Sequence, residues 1–339
     1  MSNRFVCDGS YEKDLQEYSK NVMEIYGLAS ETSEREIICM ADTGNTVAMK
    51  MYADMIFYKK ILRKNYYLDA FILYLASAGI EIDDEGKWQV SPKAYPLAYF
   101  NIGYYLLNYH KNSFLQKCEK IDIIERMSEG ERYSTAYELA LACENYVKAP
   151  GAVNLLGRIL KKAAEDESIY NAMSSFLQGE TKIQCLEKSD EYFKRAAGEG
   201  YVYACNSLAV READIIIELN EDIAQNEISE HIDKYINYLS LAADKYEPYA
   251  ANRLGLFYRT GEIFGSCGKT VVRTHINNSL ARDYFYKAVV YPDSNSAWAY
   301  LNLIKYFYKD YEQDIDMLNE HMEYIKVLNP DVYDIAIDL

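Results

Sequence analysis

Asn154, Asn206 and Asn252 each stand two residues after an alanine of a recurring phrase in this chain. A carboxamide both donates and accepts hydrogen bonds. Carried at one position on successive helices, such groups suit an extended peptide backbone, which offers N–H and C=O groups whatever its side chains. Arg158 follows Asn154 by four residues and Arg259 follows Asn252 by seven, one and two turns further along the same stretches, and both are suited to receive a carboxylate. These five residues are the candidate peptide-binding set. The competing reading has the asparagines capping or bridging neighbouring helices.

Other residue patterns point to less. Gly265-Ser-Cys-Gly268-Lys269-Thr270 has the ending of a phosphate loop, but Ile263 stands where that loop needs its first glycine, and a helix precedes it instead of a strand. A connecting loop is the better reading. His110, His231, His275 and His321 lie far apart, with no helical ligand spacing and no cysteine pair to complete a zinc set. No Gly-x-Ser-x-Gly elbow and no nucleophile cysteine motif occur. The sequence therefore predicts no metal, no cofactor and no catalytic residue; an enzyme with its site in an insertion is the remotest reading. Asn277-Asn278-Ser279 matches a glycosylation sequon that a cytoplasmic chain would not use. The basic runs Lys59, Lys60, Arg63, Lys64 and Arg158, Lys161, Lys162 fit the ends of helices, where cations complement the dipole.

The elements that must position the candidate residues are read from a period. Ala48, Ala98, Ala152, Ala204, Ala250 and Ala299 are separated by 50, 54, 52, 46 and 49 residues. Around each stands alanine, three residues, a large residue and usually a small one, a spacing that marks stacked helical repeats. Ala250, Leu254, Phe257 and Tyr258 form one helical stripe, and second helices follow at Ala70-Leu73-Ala76, Ala136-Leu139-Ala142, Phe193-Ala196-Ala197 and Tyr238-Leu241-Ala242. Pro96, Pro150 and Pro248 lie two residues before a repeat alanine and place a helix start there. Gly44, Gly79 and Gly200 follow second-helix alanines by three residues, as a C-terminal cap does.

The predicted fold is all-α, with about six helix pairs behind an N-terminal helical cap. Its boundaries are 1–44 for the cap, then 45–94, 95–149, 150–200, 201–246, 247–294 and 295–339. Within the cap, residues 11–28 and 34–43 read as helices, the second led by a Ser33/Glu36 capping box. At the other end 315–328 reads as the last long helix, stopped by Pro330 and followed by a short tail. The long connections at 81–93, 111–130, 164–187, 220–232 and 260–279 leave room for extra helical turns, such as 169–177.

Ala250, Leu254, Gly255, Tyr258 and Gly261 resemble the Sel-one-like repeat, a branch of the tetratricopeptide superfamily, and Tyr192-Phe-Lys-Arg-Ala196-Ala197-Gly-Glu-Gly200 is similar to its second helix. The likeness covers about residues 37 to 310. It implies a right-handed α-α superhelix (a solenoid) with a concave face lined by the first helices, and a role as scaffold, adaptor or regulator without catalysis.

Composition bounds the partners. The chain has 339 residues, half of them hydrophobic, and a net charge of −16. An acidic surface repels phosphate backbones and anionic bilayers, so neither nucleic acid nor membrane insertion is expected. No signal pattern opens the chain, and its seven scattered cysteines read as reduced thiols in a cytoplasm. Thirty-four tyrosines suit the long boundary of a thin core, ring inward and hydroxyl wet. The expected function is a protein-binding scaffold gripping a protein segment on its concave face. The alternative is a ligand- or peptide-sensing regulator acting through a partner.

Overall fold

The computed structural model describes residues 5, 7, 9–10, 12–17, 30–58, 61, 65–83, 88–109, 121–219, 225–266, 268–272, 275–291, 293, 295–311 and 315–338. It is mostly helical, neighbouring helices packing in chain order, and it divides into two compact units, Met1–Ala196 and Ala197–Leu339.

In the first unit, α1 (Ser30–Asp42) packs on α2 (Thr46–Phe57), and α2 pairs with α3 (Tyr66–Ser77). A hairpin follows, β1 (Ile80–Ile82) against β2 (Trp88–Val90), with Ile80 opposite Val90. Next come α4 (Leu97–Asn108), the short α5 (Asp122–Arg126) and α6 (Glu129–Val147), where α4 pairs with α6. After α7 (Pro150–Glu165) lie the short α8 (Glu167–Ala172) and α9 (Ser174–Leu177), and then α10 (Lys182–Gly198), which returns along α7. In the second unit, α11 (Val202–Glu218) pairs with α12 (Gln225–Ala243), and α13 (Pro248–Thr260) with α14 (Asn278–Lys287). Between α13 and α14 stands a second hairpin, β3 (Glu262–Phe264) with β4 (Lys269–Val271). The unit closes with α15 (Ser296–Tyr311), α16 (Ile315–Leu328) and α17 (Pro330–Ile337).

All six repeat alanines are fully buried. A methyl group is all that fits where paired helices touch. The small residue that follows in the phrase has a similar cause. A Cβ on Gly157 would lie 2.7 Å from the Phe193 ring of α10, and one on Gly255 would lie 2.5 Å from the Phe285 ring of α14. Each glycine is thus the socket for a second-helix phenylalanine, and the same lock recurs in both units.

Helix ends follow from local chemistry. Pro150 and Pro248 are the first residues of α7 and α13, and Pro96 is the residue before α4. The Asn45 side chain accepts from the Ala48 amide at 2.9 Å, and Glu247 accepts from the Ala250 amide at 2.7 Å, so two of the repeat alanines also receive a side-chain cap. Gly44, Gly79 and Gly200 adopt φ of 92°, 61° and 84°, and each donates its N–H to the carbonyl three residues back. Tyr246 takes the same turn at φ 58° with no glycine, donating to Ala243 at 2.9 Å.

Four expectations are corrected. Helix α1 begins at Ser30, which puts Ser33 inside the helix and not at its cap; residues 12–17 are helical, and 18–29 lie outside the described residues. Pro330 opens a further helix instead of a tail, because Asn329 accepts from the Asp331 and Val332 amides and Val332 and Ala336 find buried positions. The connections 81–93 and 260–279 hold hairpins where helical turns were expected, while 164–187 does hold the short helices α8 and α9. Tyrosine is not confined to the boundary: Tyr74, Tyr99 and Tyr105 are fully buried. Their hydroxyls explain two of them, since Tyr74 donates to Asp54 at 2.7 Å and Tyr105 to the Tyr67 carbonyl at 3.1 Å, with the Tyr67 and Tyr105 rings stacked. Lys59, Lys60, Arg63, Lys64 and the segment 110–120 lie outside the described residues.

Candidate functional site

Asn206 and Asn252 join first helices within the second unit. Asn206 Nδ2 donates to Glu247 at 2.9 Å, reaching from α11 to the cap of α13. Asn252 Oδ1 accepts from Asn302 Nδ2 at 2.9 Å, linking α13 to α15 in a buried contact. Glu247 is itself buried, and that burial pushes its carboxyl above the ordinary value, against the pull of its bonds from Asn206 and the Ala250 and Tyr249 amides. Arg259 donates to Asn278 at 3.2 Å and lies over the Tyr306 ring, its Nε enclosed without a partner.

Asn154 and Arg158 belong to the first unit. Arg158 donates to Asn108 Oδ1 at 2.9 Å, tying α7 to α4. Asn154 is only 5% exposed, and its Oδ1 is enclosed with no hydrogen-bond partner. Asn101 Oδ1 on α4 is in the same state. Among the described residues, no two of the five predicted residues hydrogen-bond to one another.

A second feature accompanies the amides of the second unit. The residues just before its repeat alanines are Tyr203, Tyr249 and Trp298. Each stands three or four positions before Asn206, Asn252 or Asn302, hence on the same helix face. Tyr203 is 53% exposed and Trp298 is 42% exposed, while the Arg253 guanidinium lies over both Tyr249 and Phe264, at 4.9 and 4.1 Å. The corresponding residues of the first unit are Val47, Leu97 and Gly151. The position before the alanine was legible in the period, but the aromatics were counted with the other tyrosines and not by register.

The first unit gathers cations at one end of α6 and α7. Arg132 is 6% exposed, with its Nε enclosed, and among the described residues its guanidinium makes no hydrogen bond or ion pair. Burial pulls its pKa down, while Glu129, Tyr133 and Tyr109 pull it up. Tyr133, 3% exposed, makes no hydrogen bond through its hydroxyl among the described residues; burial and Glu129 raise its pKa, and Lys162, Arg158 and Arg132 all lower it. These three cations offset part of that rise. Lys162 pairs with Asp166 at 3.2 Å, and Asp166 is held down to about 2 by the Ser168 hydroxyl first and by Lys162 next. Sequence reasoning missed Arg132 although a signal existed: it stands four residues before Ala136 on the buried stripe Arg132-Ala136-Leu139-Cys143. A charge on an apolar stripe needs a reason.

Other residues singled out by the sequence make contacts within the fold. Gly265 and Gly268 form the turn of the second hairpin, Gly265 N–H donating to the Gly268 carbonyl at 2.9 Å, and Lys269 pairs with Glu262. Asn277 caps α14 through the Ser279 and Leu280 amides. His231 contacts Glu212 at 2.6 Å. Among the described residues no cluster of histidine, cysteine, aspartate and glutamate is arranged to hold a metal, and no helix is long and apolar enough to cross a membrane. No protein-family model matches this chain, and comparison with the curated proteins finds no match.

Proposed function

We propose that this chain is a non-catalytic scaffold whose helix pairs wind as a right-handed superhelix and hold a protein segment across the face of the first helices. The observation that carries the reading is the register of Tyr203, Tyr249 and Trp298, one aromatic before each repeat alanine of the second unit, with Tyr203 and Trp298 held well out into solvent. Exposed tyrosine and tryptophan are the side chains most enriched at protein interfaces, because each buries a large rigid area on association. An isolated exposed aromatic means little; one recurring at a fixed place in successive repeats makes a surface. Beneath it the Asn206–Glu247 and Asn252–Asn302 bonds tie the helices that carry it, so the aromatics are held in place before any partner arrives.

The test is selection of random peptides displayed against the full chain, followed by affinity measurement with Tyr203→Ser/Trp298→Ser. A loss of at least about tenfold, with an unchanged melting temperature, is the expected result for hot-spot aromatics. Selected peptides that bind the double variant as well as the parent would sink the reading. A regulator that senses a small ligand is the second reading, favoured by Arg132, buried on α6 with its Nε enclosed and without a hydrogen-bond partner among the described residues.

A further inference from the structure

We infer that the protein segment docked on the aromatic register of the second unit is acidic, its carboxylates received by Arg253 and Arg259 of α13 and Lys305 of α15; this rests on the reading of that register as a docking face. The chain has 52 acidic residues against 36 basic ones. Yet α13 holds Arg253 and Arg259 and no acid, and α15 holds Lys305 and Lys309 against Asp310 alone. Their second helices reverse the balance: α12, packed on α13, and α16, packed on α15, each carry three acidic residues and one basic. Among the described residues none of Arg253, Arg259 and Lys305 forms an ion pair. On so acidic a chain, three cations without a carboxylate on two adjoining first helices mark a face complementary to negative charge.

Contacts within the fold place these cations beside the aromatics. Arg253 stands four residues after Tyr249, hence on the same face, and its guanidinium lies 4.9 Å from the centre of that ring and 4.1 Å from that of Phe264. Arg259 reaches from α13 to the Tyr306 ring of α15 at 5.1 Å, and the exposed Lys305 lies over the same ring at 5.1 Å. Two cations from neighbouring helices thus share one ring, whose face attracts a cation without neutralising it. The one side chain that accepts from Arg259, Asn278, is uncharged. Lys305 also stands three residues after Asn302 and seven after Trp298, on one helical stripe. The acids beside the ends of α13 and α15 are engaged already: Glu247 caps α13, Glu262 pairs with Lys269, and Asp293 accepts the Asn295 and Ser296 amides. A carboxylate is the group that suits a guanidinium or ammonium left in this state. Exposed aromatics beside cations also suit a single nucleic-acid strand. A polyphosphate, however, runs on beyond the local cations into the field of a chain of net charge −16, whereas a few carboxylates on a short segment feel mainly the charges within a Debye length.

The experiment uses three pools of short labelled peptides with the same aromatic content, the other positions being glutamate and serine, serine alone, or lysine and serine, together with a labelled oligothymidylate. Binding to the full chain is followed by fluorescence anisotropy at low and raised salt. The glutamate pool is expected to bind about tenfold more tightly than the serine pool, an advantage that shrinks as salt screens it, and the lysine pool is expected to bind least. Arg253→Gln/Lys305→Gln should bring the glutamate-to-serine affinity ratio close to one, while Tyr203→Ser/Trp298→Ser should weaken every peptide pool. Lys305→Gln alone, at an exposed position, carries the test should the double charge variant fail to fold, and should lower the ratio about threefold. Equal binding of the glutamate and serine pools, tighter binding of the lysine pool, or a glutamate advantage that persists in the charge variants overturns the acidic assignment and leaves the docking face standing. Oligothymidylate bound more tightly than any peptide pool overturns it in favour of a nucleic acid. No peptide pool bound by the parent overturns the docking face and this inference with it.

Discussion

The two units use one repeat phrase and differ in how far the fold engages the amide that follows its alanine. In the second unit both amides following the alanines make a bond, Asn206 through its Nδ2 to Glu247 while its Oδ1 is left over, and Asn252 with Asn302, and an aromatic precedes each alanine. In the first unit no aromatic takes the preceding position, and among the described residues the enclosed Asn154 Oδ1 and Arg132 Nε have no hydrogen-bond partner. The apolar skeleton is shared: buried alanines, and glycines pressed by Phe193 and Phe285. The lesson is that a repeat fixes where a side chain stands but not whether its hydrogen bonds are used up by the fold. Asn154 and Asn206 both leave Oδ1 over, yet only Asn206 also ties its helix to the next through Nδ2.

Breaking what the units share should have the largest effect. Phe193→Ala and Phe285→Ala each empty a glycine socket, and each should lower stability by about 3–5 kcal/mol, measured by urea denaturation. Equal losses would support a common skeleton; a loss in only one would show that the sockets are not equivalent. The amides come next. Asn302→Ala strands the enclosed Asn252 carbonyl and should cost about 1–3 kcal/mol, whereas Asn154→Leu removes an acceptor that already lacks a donor and should be neutral or stabilising. Arg132→Met should likewise leave the ligand-free protein as stable or more stable, by about 1 kcal/mol or more, because it removes a buried charge and keeps the apolar stem.

The smallest effect is one of pH and has opposite signs in the two units. Glu131, which caps α6, is lowered below its ordinary 4.5 by the Ser128 hydroxyl and then the Ser128 amide. Its contribution is present above that value and is lost as the pH falls through the lowered pKa. Glu247, which caps α13, is raised by burial, so its contribution is full below 4.5 and is lost as the pH rises through the raised pKa. Denaturation midpoints across the acid range should therefore shift in opposite directions for Glu131→Gln and Glu247→Gln relative to the parent. Shifts of the same sign would show that the two caps are electrostatically alike.

Much of the helical framework was legible because sterics writes it plainly. An alanine that must be fully buried, a proline that cannot donate and a glycine at positive φ admit few substitutes. The hairpins were less legible, since three-residue strands such as Ile80–Ile82 are too short for alternation to register. At the candidate site, the positions of Asn206 and Asn252 could be read but their bonds could not. Asn302 stands three residues after its alanine, not two, and only packing brings it to Asn252. Arg132 is visible as a charge on an apolar stripe, but the enclosure of its Nε without a hydrogen-bond partner among the described residues is a property of space and not of spacing.

The Asn252–Asn302 bond has a further consequence. Apolar contact is non-directional and does not by itself single out one meshing of two helices. An amide pair favours one. Sliding α15 by a turn along α13 would keep most of the oily contact but separate donor from acceptor, leaving both dry and unmatched. The bond thus favours the meshing in which donor and acceptor meet, and with it the spacing of what α13 and α15 display outward.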